Sequence, residues 1–116
     1  MTRNFQVYLE EIIESIDRIK EYIKHCSGID DFQKNIEIQD AVMHRLAIIG
    51  EAVKRLPKAI RDENPQVPWK DISGTRDILI HDYNNVNFNK VWDIVTNDLE
   101  PLEKEIKLIV SKTRQF

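Results

Sequence analysis

Apolar residues recur at intervals of three or four over three long stretches of this 116-residue chain. The three series are Phe5, Leu9, Ile12, Ile16, Ile19, Ile23, Cys26; then Ile38, Val42, Leu46, Ile49, Val53, Leu56; and finally Phe88, Trp92, Val95, Leu99, Leu102, Ile106, Ile109. Because an α-helix turns once every 3.6 residues or so, each series predicts an amphipathic helix with one buried stripe. Three glycines and four prolines leave little room for the turns of a β protein, so helices should dominate.

Turn-forming residues predict where these helices begin and end. Ser27-Gly28 should end the first helix, and Asp30 or Asp31 can cap the turn that follows. The second helix should stop at Pro57 and be followed by a short helical segment over Lys58–Glu63. Pro68 suits the first turn of a further long helix that begins near Trp69.

Pro101 interrupts the last series and leaves two possibilities open. Either the helix kinks at the proline, or Asp98 caps a new helix with the proline in its first turn. In both cases the chain has four main amphipathic helices with short connections. This pattern predicts an all-α, up-and-down bundle of four main helices plus short helical segments, forming a single domain over residues 1–116.

Composition narrows the class of protein. With 41% hydrophobic and 32% charged residues, the chain should be an ordinary globular domain. It has no apolar run of membrane-spanning length and no signal-peptide pattern, so we expect no membrane association and a cytoplasmic location. The net charge of −3 is unlike that of a basic nucleic-acid-binding domain, so any contact with RNA must be local.

The third long helix carries an unusual residue on its apolar stripe. Arg76 follows Trp69 and Ile72 at a position where a hydrophobic residue is due. A buried arginine is rare unless its guanidinium is paired or faces a functional cleft. His81 comes five residues later, about 140° around an ideal helix, so the two side chains would not converge within one helix. Tyr83 would return to the side of Arg76 only if the helix lasted through the turn-favouring run DYNNVN.

These residues also have structural interpretations. Arg76 can be a surface cation paired with Asp77, His81 can favour the negative C-terminal end of its helix, and Tyr83 can be an aromatic residue at the edge of the core. Gly50 in the middle of a helix suggests a close approach of two helices.

The densest basic stretch contains Lys54, Arg55, Lys58 and Arg61. These four residues are candidates for the walls of an RNA-binding groove. A solvated helix face is an equally good interpretation of them.

The segment VPWKDISGTRDILIHDYNNVN, together with HRLAIIGEAVKRLP before it, resembles the HepT toxin family of the HEPN superfamily. The hallmark of that family is an arginine, four to six residues, a histidine, any residue and a tyrosine. Here Arg76, His81 and Tyr83 match it without departure, and the resemblance covers nearly the whole chain.

The resemblance implies a HEPN-type helical bundle that acts as a ribonuclease in a symmetric homodimer, without metal or other cofactor. It also implies the toxin of a two-gene, type VII toxin–antitoxin module. The implied partner is an MntA-like nucleotidyltransferase antitoxin that transfers AMP from ATP onto the motif tyrosine, which is Tyr83 in this chain.

The residue types suit this chemistry. Histidine titrates near neutrality and can move a proton in RNA cleavage, while arginine offers a permanently charged fork for phosphate oxygens. We therefore assign His81 and Arg76 as catalytic residues, with Asp77 as a supporting residue or a surface ion-pair partner. A C2 dimer would bring two copies of the pair into one cleft, which removes the angular difficulty. Candidate substrates are tRNA and mRNA, and assembly beyond the dimer is open. The alternative function is a non-catalytic helical subunit that binds nucleotide or substrate for a nucleotidyltransferase.

Overall fold

The computed structural model describes residues 5–81 and 86–113, with the backbone alone described for residues 76–81. The described helices are α1 (Phe5–Ile23), α2 (Ile29–Lys34), α3 (Ile36–Arg55), α4 (Lys58–Glu63), α5 (Trp69–His81), α6 (Phe88–Asp93) and α7 (Leu99–Thr113), with a π-helical turn (Ile94–Asp98) between the last two. Within these residues there is no β-strand. The predicted all-α bundle of four main helices, α1, α3, α5 and α7, with short helical segments is confirmed.

Helix α3 lies in the middle of the bundle, where it packs against α1 on one side and α5 on the other. Helix α1 also packs against α7. The predicted apolar stripes form the interfaces, and their most buried members are Leu9, Ile12, Ile16, Ile19, Val42, Leu46, Ile49, Val53, Leu102, Ile106 and Ile109. Full burial of one such aliphatic side chain contributes about 1.5–3 kcal/mol. The core therefore follows from the three- and four-residue spacing.

In the turn after α1, where Asp30 or Asp31 was predicted to cap the turn that follows, Asp31 is the residue that forms hydrogen bonds, although it is not the N-cap of α2. Gly28 is the N-cap residue of α2 and provides no side chain to cap it. The carboxylate of Asp31 accepts hydrogen bonds from the backbone N–H of Ser27 at 2.8 Å and from its hydroxyl at 2.6 Å. Asp31 therefore closes the turn from inside the first turn of α2, because its side chain reaches back along the chain.

The predicted end of α3 and the predicted short helix α4 are confirmed, whereas the start of α3 was not predicted. Asn35 caps α3 by accepting a hydrogen bond from the backbone N–H of Ile38 at 3.0 Å. Helix α3 ends at Arg55, just before Leu56 and Pro57, and α4 spans the predicted Lys58–Glu63. Gly50 is buried within α3, the helix that contacts both α1 and α5.

The chain stays helical from Phe88 to Thr113, so Asp98 does not cap a separate helix. The backbone is right-handed helical at Asp93, Ile94 and Leu99, and Asp98 itself lies in the π-helical turn. Proline has no N–H to donate, and its ring crowds the carbonyl four residues earlier, here that of Asn97. The wider π-helical turn over Ile94–Asp98 accommodates this crowding without ending the helix.

A polar cluster joins α1 to α7. Glu103, which is 6% exposed, accepts a hydrogen bond from the ammonium of Lys20 and lies 3.6 Å from that of Lys107. A hydrogen bond to Glu103, together with burial, raises the pKa of Asp17. Burial alone would raise the pKa of Glu103, but hydrogen bonds from Asp17 and Lys20 and the nearby positive charges outweigh burial and lower it. The pKa of Glu103 is therefore lowered and that of Asp17 raised, so Glu103 gives up its proton at lower pH than its neighbour does.

In the described parts of the chain, no helix combines the length and the apolar character needed to cross a membrane.

Candidate active site

Helix α5 carries the predicted catalytic pair. The backbone is helical at Arg76, Asp77 and His81, whose side chains lie outside the described structure, as does Tyr83 altogether. Because α5 is continuous from Trp69 to His81, the α-carbons of Arg76 and His81 are about 140° apart around its axis and about 7.5 Å apart along it. One helix therefore presents the two motif positions in different directions.

A cleft of about 1310 Å³ runs along the N-terminal half of α5 and reaches Thr75, the residue before Arg76. Leu46 and Ile49 of α3 contribute to its apolar lining, and the π-helical turn and α7 form much of the opposite wall. Exposed Lys70, Asp71 and other charged residues of both signs also line it. The cleft therefore brings an apolar surface and mixed charges next to the motif helix.

Two residues of the predicted RNA-groove set, Arg55 and Lys58, form ion pairs within their own helices. Arg55 lies 3.4 Å from Glu51 and 6.0 Å above the ring of Tyr8, while Lys58 lies 2.9 Å from Asp62. Their side chains are 57% and 82% exposed. Exposed pairs four residues apart contribute only about 0.3–0.5 kcal/mol, so both cations can exchange a carboxylate for a phosphate at little cost.

The other two members of this set differ from each other. Lys54 is exposed on the last turn of α3, whereas Arg61 of α4 is half-buried. The buried Nε of Arg61 has no hydrogen-bond partner among the described residues, and the backbone carbonyl of Arg61 accepts a hydrogen bond from the indole N–H of Trp69. Lys54, Arg55 and Lys58 are thus exposed to solvent, whereas Arg61 is half-buried next to the turn that leads to α5.

No group of three or more His, Cys, Asp or Glu side chains in the described residues is arranged to hold a metal ion.

Comparison with known proteins decides the family. Residues 12–109 match the family model described as Ribonuclease HepT-like. This chain belongs to the HepT-like ribonuclease family. The predicted membership of the HEPN superfamily and the predicted enzyme class, a ribonuclease, are thereby confirmed.

Several curated proteins resemble this HepT-like chain over most of its length. One, "Putative RNase TTE0752" of Caldanaerobacter subterraneus subsp. tengcongensis, is 41% identical over 92% of this chain and 95% of its own length. A second, "Putative RNase MJ1216" of Methanocaldococcus jannaschii, is 36% identical over 93% of this chain and 88% of its own length. "Probable ribonuclease HepT" of Thermococcus cleftensis is 36% identical over 89% of this chain and 93% of its own length. No solved structure matches the chain significantly.

Sequence reasoning missed two features of this HepT-like site. The π-helical turn that lines the cleft has no sequence signal of its own except the proline that follows it. The hydrogen bonds that join Trp69 of α5 to the end of α4 were also not predicted, although the run NPQVPW marks the turn in which they form.

Proposed function

We propose that this HepT-like ribonuclease is the endoribonuclease toxin of a type VII HEPN/MNT toxin–antitoxin module. In this proposal it cleaves RNA without a metal ion at a composite site between two copies of the chain. The observation that carries the proposal is the complete Arg76, His81, Tyr83 motif on and directly after α5 in a chain of this family.

The proposed reaction is attack of a ribose 2′-oxygen on the adjacent phosphorus. An imidazole of His81 accepts the 2′-hydroxyl proton, the bond from phosphorus to the 5′-oxygen breaks, and that oxygen takes up a proton. The products are a 2′,3′-cyclic phosphate and a 5′-hydroxyl end. Arg76 places a fixed positive charge against the phosphorane-like transition state, where charge accumulates on the non-bridging oxygens.

A C2 homodimer would bring an arginine and a histidine of the motif to the same phosphate, which a single α5 cannot do. Since Arg76 and His81 are about 140° apart on the helix, a second copy is needed to face both positions toward one phosphate. Two copies also provide two imidazoles, a neutral one to accept the 2′-proton and a protonated one to supply the leaving oxygen. Asp77, next to Arg76 on the helix, is proposed to hold one of these groups in place.

RNA binding by this acidic chain needs a local positive surface. Lys54, Arg55 and Lys58 extend from the end of α3 to the start of α4, and two copies in a dimer double this charge. The intrahelical pairs of Arg55 and Lys58 are weak enough to give way to phosphate. The proposed substrates are tRNA or mRNA.

Tyr83 is the proposed regulatory residue. The phenol oxygen attacks the α-phosphorus of ATP, pyrophosphate leaves, and a phosphodiester to AMP remains on Tyr83. An MntA-like nucleotidyltransferase antitoxin is the proposed catalyst. Tyr83 lies two residues after His81 and seven after Arg76. The negative charge and bulk of AMP attached there would compete with RNA phosphate for the site.

The deciding experiment measures cleavage of tRNA and mRNA by the purified full chain, free of partner and in the presence of EDTA. We expect wild type to cleave and His81→Ala to lose at least 100-fold in rate, because proton transfer contributes about 10²- to 10⁴-fold. His25→Ala is the matched control, since His25 is exposed in the turn after α1 and should leave the rate unchanged.

Intact RNA with wild type, or cleavage that survives the His81 substitution, would refute the ribonuclease mechanism. Intact RNA with retained binding would favour a non-catalytic subunit that presents RNA or nucleotide to a nucleotidyltransferase.

Mass spectrometry after incubation with the nucleotidyltransferase and ATP tests the modification. We expect AMP adducts on wild type and on the control Tyr22→Phe, and none on Tyr83→Phe. Adducts that persist in Tyr83→Phe would exclude Tyr83 as the acceptor.

A further inference from the structure

Trp69 is the first residue of α5 and lies two helical turns before Arg76. Its indole is buried, with 8% of the residue exposed. The indole N–H donates to the backbone carbonyl of Asn64 at 3.0 Å and to that of Arg61 at 3.2 Å. Both carbonyls belong to the C-terminal end of α4, so this shared hydrogen bond joins the start of α5 to the preceding helix.

The turn that supplies these carbonyls is itself fixed. Asn64 is 7% exposed, and its side-chain amide donates to the carbonyl of Ile60 at 2.8 Å. The backbone N–H of Val67 donates to the Asn64 carbonyl at 3.2 Å, and that of Trp69 donates to the Val67 carbonyl at 2.8 Å. Asn64 therefore presents its carbonyl to Trp69 from a turn that is hydrogen-bonded on both sides.

The rest of the N-terminal half of α5 is less buried than Trp69. None of residues 70–75 is fully buried, and the partly buried Ile72 packs against the core. The hydroxyls of Ser73 and Thr75 donate to carbonyls of their own helix, at Lys70 and Asp71, and so do not tie α5 to a neighbour. Over residues 69–75, Trp69 is therefore the buried side chain, and its N–H joins α5 to the end of α4 in addition to the packing of α5 against α3.

The length of α5 makes this placement important for the motif. Arg76 lies about 10.5 Å from Trp69 along the helix axis and His81 about 18 Å. A tilt of about 5° at Trp69 would therefore move the α-carbon of His81 by about 1.6 Å. A displacement of about 1 Å at a reacting group can lower a rate by about 100-fold.

We infer that Trp69 is a positioning residue for the cleavage reaction, because its bond to the α4 carbonyls sets the orientation of the helix that carries Arg76 and His81. This role rests on the proposed function. Trp69 touches no reacting atom in this scheme. It acts by holding α5 at one angle, and the two catalytic positions follow as parts of the same rigid helix.

The test is the substitution Trp69→Phe, which keeps a buried aromatic ring and removes the N–H. The matched control is Trp92→Phe, the same change at the other tryptophan, which is half-buried on α6 and packs against Phe32. We expect Trp69→Phe to lower kcat for RNA cleavage about 10- to 100-fold with KM within about threefold. Trp92→Phe should keep kcat within about twofold.

Circular dichroism establishes a temperature at which all variants are fully folded, and the rates are compared there. A general loss of stability would not lower kcat at that temperature, whereas misplacement of α5 would. If Trp69→Phe does not fold, Asn64→Ala tests the same bond from the acceptor side, because it removes the amide that fixes the Asn64 turn. The expected result is again a loss in kcat rather than in KM.

Wild-type kcat in folded Trp69→Phe would overturn the positioning role, as would an equal loss in Trp92→Phe. These outcomes differ from failure of the proposed function, in which wild type itself leaves RNA intact or His81→Ala still cleaves. That failure would remove the positioning role as well.

Discussion

Replacement of Glu103 by glutamine tests the polar cluster between α1 and α7. The substitution keeps the size and shape of the side chain but removes the charge that holds the ammonium of Lys20. A hydrogen bond to a charged group contributes about 1.5–3 kcal/mol, and breaking a fully buried ion pair costs about 3–5 kcal/mol. The Lys20 side chain is 38% exposed while that of Glu103 is 8% exposed, so water takes over part of the lost interaction. We therefore expect the free energy of unfolding to fall by about 1.5–3 kcal/mol.

Thermal unfolding followed by circular dichroism measures this effect. For a chain of this size, 1 kcal/mol corresponds to about 4 °C in Tm, so Glu103→Gln should lower Tm by about 6–12 °C. Glu14→Gln is the matched control, because Glu14 forms an exposed pair with Arg18 at 3.5 Å on α1. It should change the free energy of unfolding by less than about 0.5 kcal/mol. If the two variants unfold at the same temperature, the buried carboxylate does not stabilise the α1–α7 interface and the reasoning is wrong.

Two further predictions concern Asp17 and Gly74. Because the pKa of Asp17 is raised in the folded chain, its contribution to stability is present below its unfolded pKa and is lost as pH rises through its folded pKa. Asp17→Asn places a neutral group beside Glu103. This variant should therefore be more stable than wild type at neutral pH and should lose that advantage in acid. Chemical denaturation from pH 3 to pH 8 measures the difference, and an advantage that is the same at every pH would contradict the raised pKa of Asp17. Gly74 lies inside α5, and a Cβ added there would meet no described atom outside the helix's own nearby backbone within 4 Å, so Gly74→Ala should raise the free energy of unfolding by about 0.5–1 kcal/mol. Gly28→Ala is the contrasting control, because Gly28 is the N-cap of α2, where alanine is no better; a gain in Tm at Gly28 as large as at Gly74 would show that helix propensity is not the cause.

The sequence by itself determined the helices, because the spacing of the apolar residues reports which face of each helix is buried. Ile12, Ile16 and Ile19 are fully buried as predicted, and the limits of α4 match the prediction. The sequence motif also identified the family, since Arg76, His81 and Tyr83 occur at its characteristic spacing and the family match followed. The helices and the family could both be predicted because they depend on patterns of residues close together in the sequence.

Only the tertiary structure decided how these helices meet. The pairing of Glu103 with Lys20 joins residues 83 positions apart, and no local pattern distinguishes that glutamate from its exposed neighbours. The acceptors of the Trp69 N–H are backbone carbonyls, whose directions depend on the turn between α4 and α5 rather than on residue identity. The π-helical turn before Pro101 likewise depends on backbone geometry. Because proline lacks a backbone N–H, a helix that contains it can kink, end or widen, and the sequence does not say which. The sequence therefore left two kinds of contact open. These are the contacts between residues far apart along the chain and the contacts made by backbone atoms, which every residue shares.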